Sequence, residues 1–137
     1  MRRSKNYGFT LIEMMVTVAI VGVLSFLAVY MFQTYSNKAK VANGVSELRS
    51  LAGRYDAAYV SGISSPSLAD LEASDSSRCQ FAIDMASSPE VSLTCELLNV
   101  YGPLLGGVLT YKRAADGQWL CSANPKIAAD VLPVHCR

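Results

Sequence analysis

The first hydrophobic pattern is one nearly unbroken apolar run over residues 9–32, in which Glu13 is the only charged residue. At about 1.5 Å per residue, a helix of this length crosses a hydrocarbon core of roughly 30 Å. The run therefore predicts a membrane-spanning helix near the start of the chain.

A second pattern follows, in which apolar residues recur every three or four positions and charged residues lie between them. The apolar stripe consists of Val41, Val45, Leu48, Leu51 or Ala52, Tyr55 and Tyr59. This spacing predicts an amphipathic helix that continues the first one to about residue 60 and ends at Ser61 and Gly62. Gly44 and Gly53 each weaken such a helix by about 1 kcal/mol relative to alanine. We therefore expect the stripe to pack against another element, such as a sheet.

Beyond a serine-rich loop over residues 61–78, which has a short turn of helix near Pro66, the apolar period changes to two. Residues 79–85 and 91–97 alternate between apolar and polar positions, which predicts a hairpin centred near Ser87. The register expected from this centre pairs Cys79 with Cys95, Phe81 with Leu93 and Ile83 with Val91. Facing α-carbons lie about 4.5–5.5 Å apart, within reach of a disulfide, so we predict a Cys79–Cys95 bond.

Two further strands are predicted in the last third of the chain. Residues 104–113 form the third, with a bend at Gly106 and Gly107. Asp116 and Gly117 form a hairpin turn that leads to the fourth strand at residues 118–121. Four antiparallel strands packed on a long N-terminal helix place the chain in the α+β class.

The first eight residues carry three positive charges and no negative charge. Arg2, Arg3 and Lys5 precede the apolar run, and losing residues 1–8 would change the formal net charge from +1 to −2. Basic residues before a membrane helix keep its N-terminus in the cytoplasm.

Three common explanations of the apolar run fit the sequence poorly. A cleaved secretory signal has an apolar core of about 7–15 residues and a small-residue cleavage site, whereas this run is longer and ends in bulky residues. A simple anchor has no use for Glu13, since a carboxylate in lipid is unfavourable. The basic leader and the long uncharged run disfavour a buried core helix.

Gly8, followed by Phe9-Thr-Leu-Ile-Glu13, resembles the cleavage motif of type IV prepilins, and the likeness continues through Gly22 to Lys40. The short leader and Phe9 are similar to the type IVa branch. The resemblance implies the pilin fold with three parts: a cleaved leader (1–8), a long helix (9–60, of which 9–32 lies in the membrane or filament core), and a globular head (61–137).

The resemblance also implies roles for individual residues. In this family a membrane peptidase cuts after the glycine, here Gly8, and methylates the new amine, here on Phe9. The glutamate, here Glu13, pairs with the N-terminal amine of a neighbouring subunit during assembly. One departure is that most members have a proline near the position of Tyr30, whereas the first proline here is Pro66. Any kink would then depend on Gly22.

The four cysteines are expected to form two disulfides. They contain no Cys-x-x-Cys pair and the chain has one histidine, His135, so a zinc site is not supported. Cysteines that follow a membrane span indicate an oxidising compartment. The region from Cys121 to Cys136 resembles the disulfide-bounded loop of type IVa pilins, which implies that these two cysteines pair.

We therefore predict a non-enzymatic structural subunit, without a cofactor or metal, of a type IV pilus that serves adhesion, twitching motility or DNA uptake. A minor pilin and a secretion pseudopilin are alternatives. The implied partners are other pilin subunits, the prepilin peptidase, the inner-membrane assembly machinery, and a host receptor or DNA. The implied location is the inner membrane and then the cell-surface pilus. A DNA-capturing head would use the basic residues Arg78, Lys112, Arg113, Lys126 and Arg137.

Overall fold

The computed structural model describes residues 8–87, 90–100 and 102–137. The chain divides into two compact units, Met1–Tyr35 and Ser36–Arg137. A single α-helix, α1, extends over Leu11–Val60 and contributes to both. The second unit, Ser36–Arg137, is called the head from here on; it includes the end of α1 as well as residues 61–137.

In the head, four strands form one antiparallel sheet in the order β1-β2-β3-β4. The strands are β1 (Cys79–Ser87), β2 (Glu90–Leu97), β3 (Val108–Arg113) and β4 (Trp119–Ala123). Short 3-10 helices span Gly102–Leu104 and Val134–Cys136. The predicted α+β class and the packing of a long helix on a four-stranded antiparallel sheet are confirmed.

The predicted apolar stripe on the helix forms the core of the head together with the inner face of the sheet. Its buried members are Val41, Val45, Leu48, Leu51, Ala52 and Tyr55. Tyr59 does not belong to it, since its side chain is 46 % exposed and Arg113 lies over its ring. The helix ends as predicted, at Val60, where Gly62 takes the left-handed conformation that glycine tolerates best.

The predicted register of the first hairpin is wrong by two residues. Cys79 pairs with Leu97 and Phe81 with Cys95, and the register shifts between Asp84 and Ser87. A slip of two residues keeps every side chain on the same face of the sheet, so the alternating pattern cannot distinguish the two registers. Ser88 and Pro89, which connect the two strands in sequence, lie outside the described residues.

The predicted third strand begins too early. Its first residue, Leu104, ends the 3-10 helix Gly102–Leu104, and Gly107 N donates to Leu104 O at 2.8 Å. Gly106 then adopts a φ of 70°, which directs the chain into β3 at Val108. Leu104 is buried, and it reaches the core from the 3-10 helix rather than from β3.

Residues 61–78 form a loop that two groups on α1 hold in place. Arg54 Nη1 donates to the carbonyl oxygens of Leu71 and Glu72, both at 3.1 Å. Glu47 accepts hydrogen bonds from Ser76 Oγ at 2.7 Å and Arg78 Nη1 at 3.0 Å. The end of the loop is thus fixed to the helix immediately before β1 begins. The predicted turn near Pro66 is present as hydrogen-bonded turns over residues 68–72.

Replacing Gly44 or Gly53, the two glycines of α1 in the head, by alanine should change the free energy of unfolding in opposite directions. A Cβ at Gly44 would lie 2.9 Å from both Leu109 Cδ1 and Leu97 Cδ2, whereas a Cβ at Gly53 would meet nothing within 4 Å. We expect Gly44→Ala to lower the free energy of unfolding by about 1–2 kcal/mol, since overpacking outweighs the gain in helix propensity. The matched Gly53→Ala should raise it by about 0.5–1 kcal/mol.

Urea unfolding of the full chain in detergent micelles, followed by the fluorescence of Trp119, the single tryptophan, measures both glycine effects. A stability of Gly44→Ala equal to or above that of the parent would contradict the tight helix–sheet contact.

Asp70 should make the stability of the head depend on pH in acid. Hydrogen bonds from the Ser67 hydroxyl and then from the Ser67 N–H lower the pKa of Asp70. Its contribution is present above its unfolded pKa of about 3.9 and is lost as pH falls through the lower, folded value. Midpoints of thermal unfolding for the parent and Asp70→Ala should therefore differ at pH 6 and converge toward pH 2. A difference between the two midpoints that stays the same from pH 6 to pH 2 would contradict a stabilising role for the ionised Asp70 carboxylate.

Candidate functional site

The residues that begin α1 form a capping box. Thr10 N and Thr10 Oγ1 both donate to Glu13 Oε2, at 3.2 and 3.0 Å, and Glu13 N donates to Thr10 Oγ1 at 3.3 Å. This reciprocal arrangement satisfies N–H groups that otherwise lack partners at a helix start. The Glu13 carboxylate is thereby held at the N-terminus of the helix, where the helix dipole favours negative charge.

Gly8 and Phe9 precede the helix and lie in non-helical backbone, and both are exposed. Residues 1–7 of the predicted leader lie outside the described residues. The Gly8–Phe9 bond therefore lies outside the helix, which begins at Leu11.

The helical surface that follows is apolar, and no other described residue covers it. Exposed large side chains include Leu11, Ile12, Val18, Phe26 and Phe32. The length and apolar composition of this helix suit a membrane span.

The serine and threonine hydroxyl groups in this segment donate to the backbone of the helix that carries them. Thr17 Oγ1 donates to Met14 O at 2.9 Å, Ser25 Oγ to Val21 O at 2.8 Å, and Thr34 Oγ1 to Tyr30 O at 3.2 Å. Such bonds remove the penalty of a polar side chain in an apolar surrounding. The helix continues without interruption past Gly22 and Tyr30. Glu13 is therefore the one charged group on a segment that is otherwise suited to an apolar environment.

In the head, disulfides join the cysteine pairs that the sequence predicts. Cys79 and Cys95 have α-carbons 5.1 Å apart, and those of Cys121 and Cys136 are 4.6 Å apart. The first pair links β1 to β2 inside the core, although the two residues do not face each other in the ladder. The second pair ties the C-terminal segment to β4.

The candidate DNA-binding residues do not form a cluster of unpaired cations. Arg78 pairs with Glu47, Lys112 with Glu90, and Arg113 with Asp56. No ion pair involves Lys126 or Arg137 in the part of the chain that the structure describes. Three of the five cations thus have their charge balanced locally.

A groove of about 320 Å³ lies between α1, β4 and the C-terminal segment. Trp119 forms part of its wall, and its Nε1 donates to Asp56 Oδ2 at 2.8 Å. Arg49 and His135 also line it. The described residues contain no group of three or more His, Cys, Asp or Glu side chains that could hold a metal ion.

Comparison with known families accounts for both parts of the chain. Residues 3–29 match the prokaryotic N-terminal methylation motif, and residues 37–137 match the family described as pilin (bacterial filament). A fimbrial protein of Pseudomonas aeruginosa is 30 % identical over 94 % of this chain and 95 % of its own length. This chain belongs to the type IV pilin family.

Other relatives of this pilin support the assignment along the whole chain. A type IV major alpha-pilin of Moraxella bovis is 30 % identical over 89 % of this chain and 88 % of its own length. The type IV major fimbrial protein FimA of Dichelobacter nodosus is 23 % identical over 98 % of each. These similarities support a pilus subunit.

Thr10 is the residue of the pilin start that the sequence analysis missed. The spacing Thr-x-x-Glu immediately before an apolar run is the signal that would have identified it.

Proposed function

We propose that the chain is made as a membrane-anchored precursor, cut between Gly8 and Phe9 by the prepilin peptidase, and methylated on Phe9. The inner-membrane assembly machinery then polymerises it through its N-terminal helix into a type IV pilus, of which it is the major subunit.

The main support for this proposal is a single carboxylate on a helix surface that is otherwise apolar and that no other described residue covers. Glu13 follows the cleavage position by five residues and is held at the first turn by Thr10. In lipid an isolated carboxylate is unfavourable. Cleavage at Gly8 creates a cationic amine on Phe9, and such an amine on a neighbouring subunit gives Glu13 a partner inside an apolar filament core.

The head supports a role outside the cytoplasm. Both disulfides require an oxidising compartment, and they lie beyond the membrane-spanning segment. The basic leader and the disulfides therefore lie on opposite sides of the membrane, as a precursor held in the inner membrane requires.

The choice of major subunit rests on the relatives named as major pilins and on the compact, disulfide-bounded head. A minor pilin or a secretion pseudopilin would share the same processing and the same helix. DNA capture by the head is disfavoured, since ion pairs already balance Arg78, Lys112 and Arg113. Adhesion to a host surface and twitching motility follow as functions of the assembled fibre.

Intact-mass analysis of filaments sheared from native cells tests the proposal. The expected main species begins at methylated Phe9 and is four hydrogens lighter than its reduced form, two for each disulfide. A processed chain that is scarce in the sheared fraction would indicate a minor pilin or a pseudopilin. A chain that still begins at Met1, in cells that process another pilin, would overturn the proposed cleavage.

A further inference from the structure

Glu72 on the loop 61–78 and Arg49 in the groove beside β4 carry opposite charges and line separate pockets of the head. The loop 61–78 leads directly into β1, which is one edge strand, and it carries Glu72. The C-terminal segment is tied to β4, the other edge strand, and the groove beside it carries Arg49. Neither Glu72 nor Arg49 has a side-chain hydrogen bond or an ion pair within the described residues.

Glu72 is held in an unusual backbone conformation. Its φ of 49° is in the left-handed region, which non-glycine residues rarely adopt. Arg54 stabilises this conformation, because its Nη1 donates to the Glu72 carbonyl at 3.1 Å and to the preceding carbonyl as well. The carboxylate is consequently presented to solvent from a fixed backbone. Residues kept in such conformations tend to occur where a side chain has a use.

The charge around Glu72 is negative. Asp70 and Asp75 are also exposed on this loop, and its own cation, Arg78, pairs with Glu47. Arg54, which donates to the Glu72 carbonyl, adds one positive charge against these three carboxylates. The lowered pKa of Asp70 keeps that carboxyl ionised above acidic pH. This end of the loop is thus an acidic surface.

The groove beside β4 has the opposite character. Asp56, its one carboxylate, is engaged at both oxygens by Arg113 and Trp119, at 2.9 and 2.8 Å. It therefore leaves the exposed Arg49 guanidinium unpaired. At Gly53 the helix has no side chain, and open space of at least 4 Å surrounds the position where a Cβ would be. A side chain from outside can enter there and reach Arg49.

We propose that in the filament the Glu72 carboxylate of one subunit enters this groove on the next subunit and pairs with its Arg49. The contact joins two different surfaces, and contacts of this type generate rings or open helical filaments rather than closed dimers. This inference rests on the proposed function, since it concerns subunits already assembled through their N-terminal helices. It assigns the loop and the groove to the outer contacts between heads.

Charge exchange in the full-length chain, expressed in cells that lack their own pilin, tests the pairing. The variants are Glu72→Arg, Arg49→Glu, the double variant that carries both changes, and Glu96→Arg as a matched control on exposed sheet residue Glu96. The readouts are the fraction of pilin recovered in sheared filaments and the temperature at which those filaments dissociate. Trp119 fluorescence of subunits in detergent reports whether each head is folded.

We expect each single variant to lower the filament fraction by roughly two- to five-fold, the effect of one partly exposed ion pair. The double variant should recover to within about two-fold of the parent, and Glu96→Arg should behave like the parent. Glu72→Gln, the conservative variant, should make filament dissociation less sensitive to salt, because screening weakens only the charged pair.

Single variants that match the parent, in cells where parent filaments form, would overturn the pairing and leave the proposed function intact. A double variant no better than the single ones would overturn it as well. If the parent chain itself is absent from sheared filaments, the proposed function fails, and the pairing fails with it.

Discussion

Glu13→Gln is expected to remove filaments from the cell surface while the processed subunit stays in the membrane. Glutamine can still accept the hydrogen bonds from Thr10, since a capping box forms with either Glu or Gln. The variant thus keeps the helix start and loses only the charge. Removing one partner of a desolvated ion pair is unfavourable by about 3–5 kcal/mol, because the other charge stays buried without compensation.

Immunoblots of sheared and membrane fractions measure this effect, together with the intact mass of the membrane-bound subunit. Thr10→Ser, which retains the capping hydroxyl, is the matched control and should assemble normally. Filaments at parental abundance in Glu13→Gln would show that assembly needs no charge at this position. An uncut Glu13→Gln chain would instead assign the residue to recognition by the peptidase.

Removal of the buried disulfide by the paired change Cys79→Ala and Cys95→Ala should lower the stability of the head by about 3 kcal/mol. That is a large share of the 5–15 kcal/mol typical of a folded domain. The two disulfides close loops of nearly equal length, with sequence separations of 16 and 15 residues, so their loop-entropy contributions are similar. Cys79 and Cys95 are both fully buried, whereas Cys121 is partly exposed. Removing the Cys79–Cys95 disulfide should therefore lower the free energy of unfolding more than removing Cys121–Cys136.

Urea unfolding followed by Trp119 fluorescence, with the full chain in detergent micelles, compares the two paired variants. Trp119 is a suitable reporter because its ring packs edge-on against that of Tyr55, with 5.7 Å between the ring centroids, and its Nε1 donates a hydrogen bond to Asp56. If the Cys121 and Cys136 variant is the less stable one, loop anchoring at β4 matters more than burial in the core.

The helix and the sheet were predictable because apolar residues recur at regular intervals along both. The three- to four-residue stripe from Val41 to Tyr55 matches the buried face of α1, and the alternation in β1 and β2 matches the inward face of the sheet. The same periodicity could not determine the register of β1, since a shift of two residues buries the same side chains. The Cys79–Cys95 pair was predicted from a register that the structure corrects.

Other features depend on contacts of single residues that the hydrophobic periodicity does not predict. Tyr59 continues the stripe, yet it lies where the helix leaves the core, and Arg113 covers its ring instead. The contact of Arg54 with the loop joins residues far apart in sequence, and the left-handed Glu72 has no sequence signal. Of the candidate residues at the chain start, Gly8, Phe9 and Glu13 come from resemblance to a family motif, whereas Thr10 follows from helix-capping chemistry.

The uninterrupted α1 helix has a mechanical consequence. A proline would remove one backbone hydrogen bond and create a weak point at which a helix can begin to stretch. Here Ser25 and Thr34 lie on either side of the Tyr30 position, and both donate to the helix backbone. A fibre built from such helices should respond to pulling forces as a stiff spring, with little elongation before many hydrogen bonds break together.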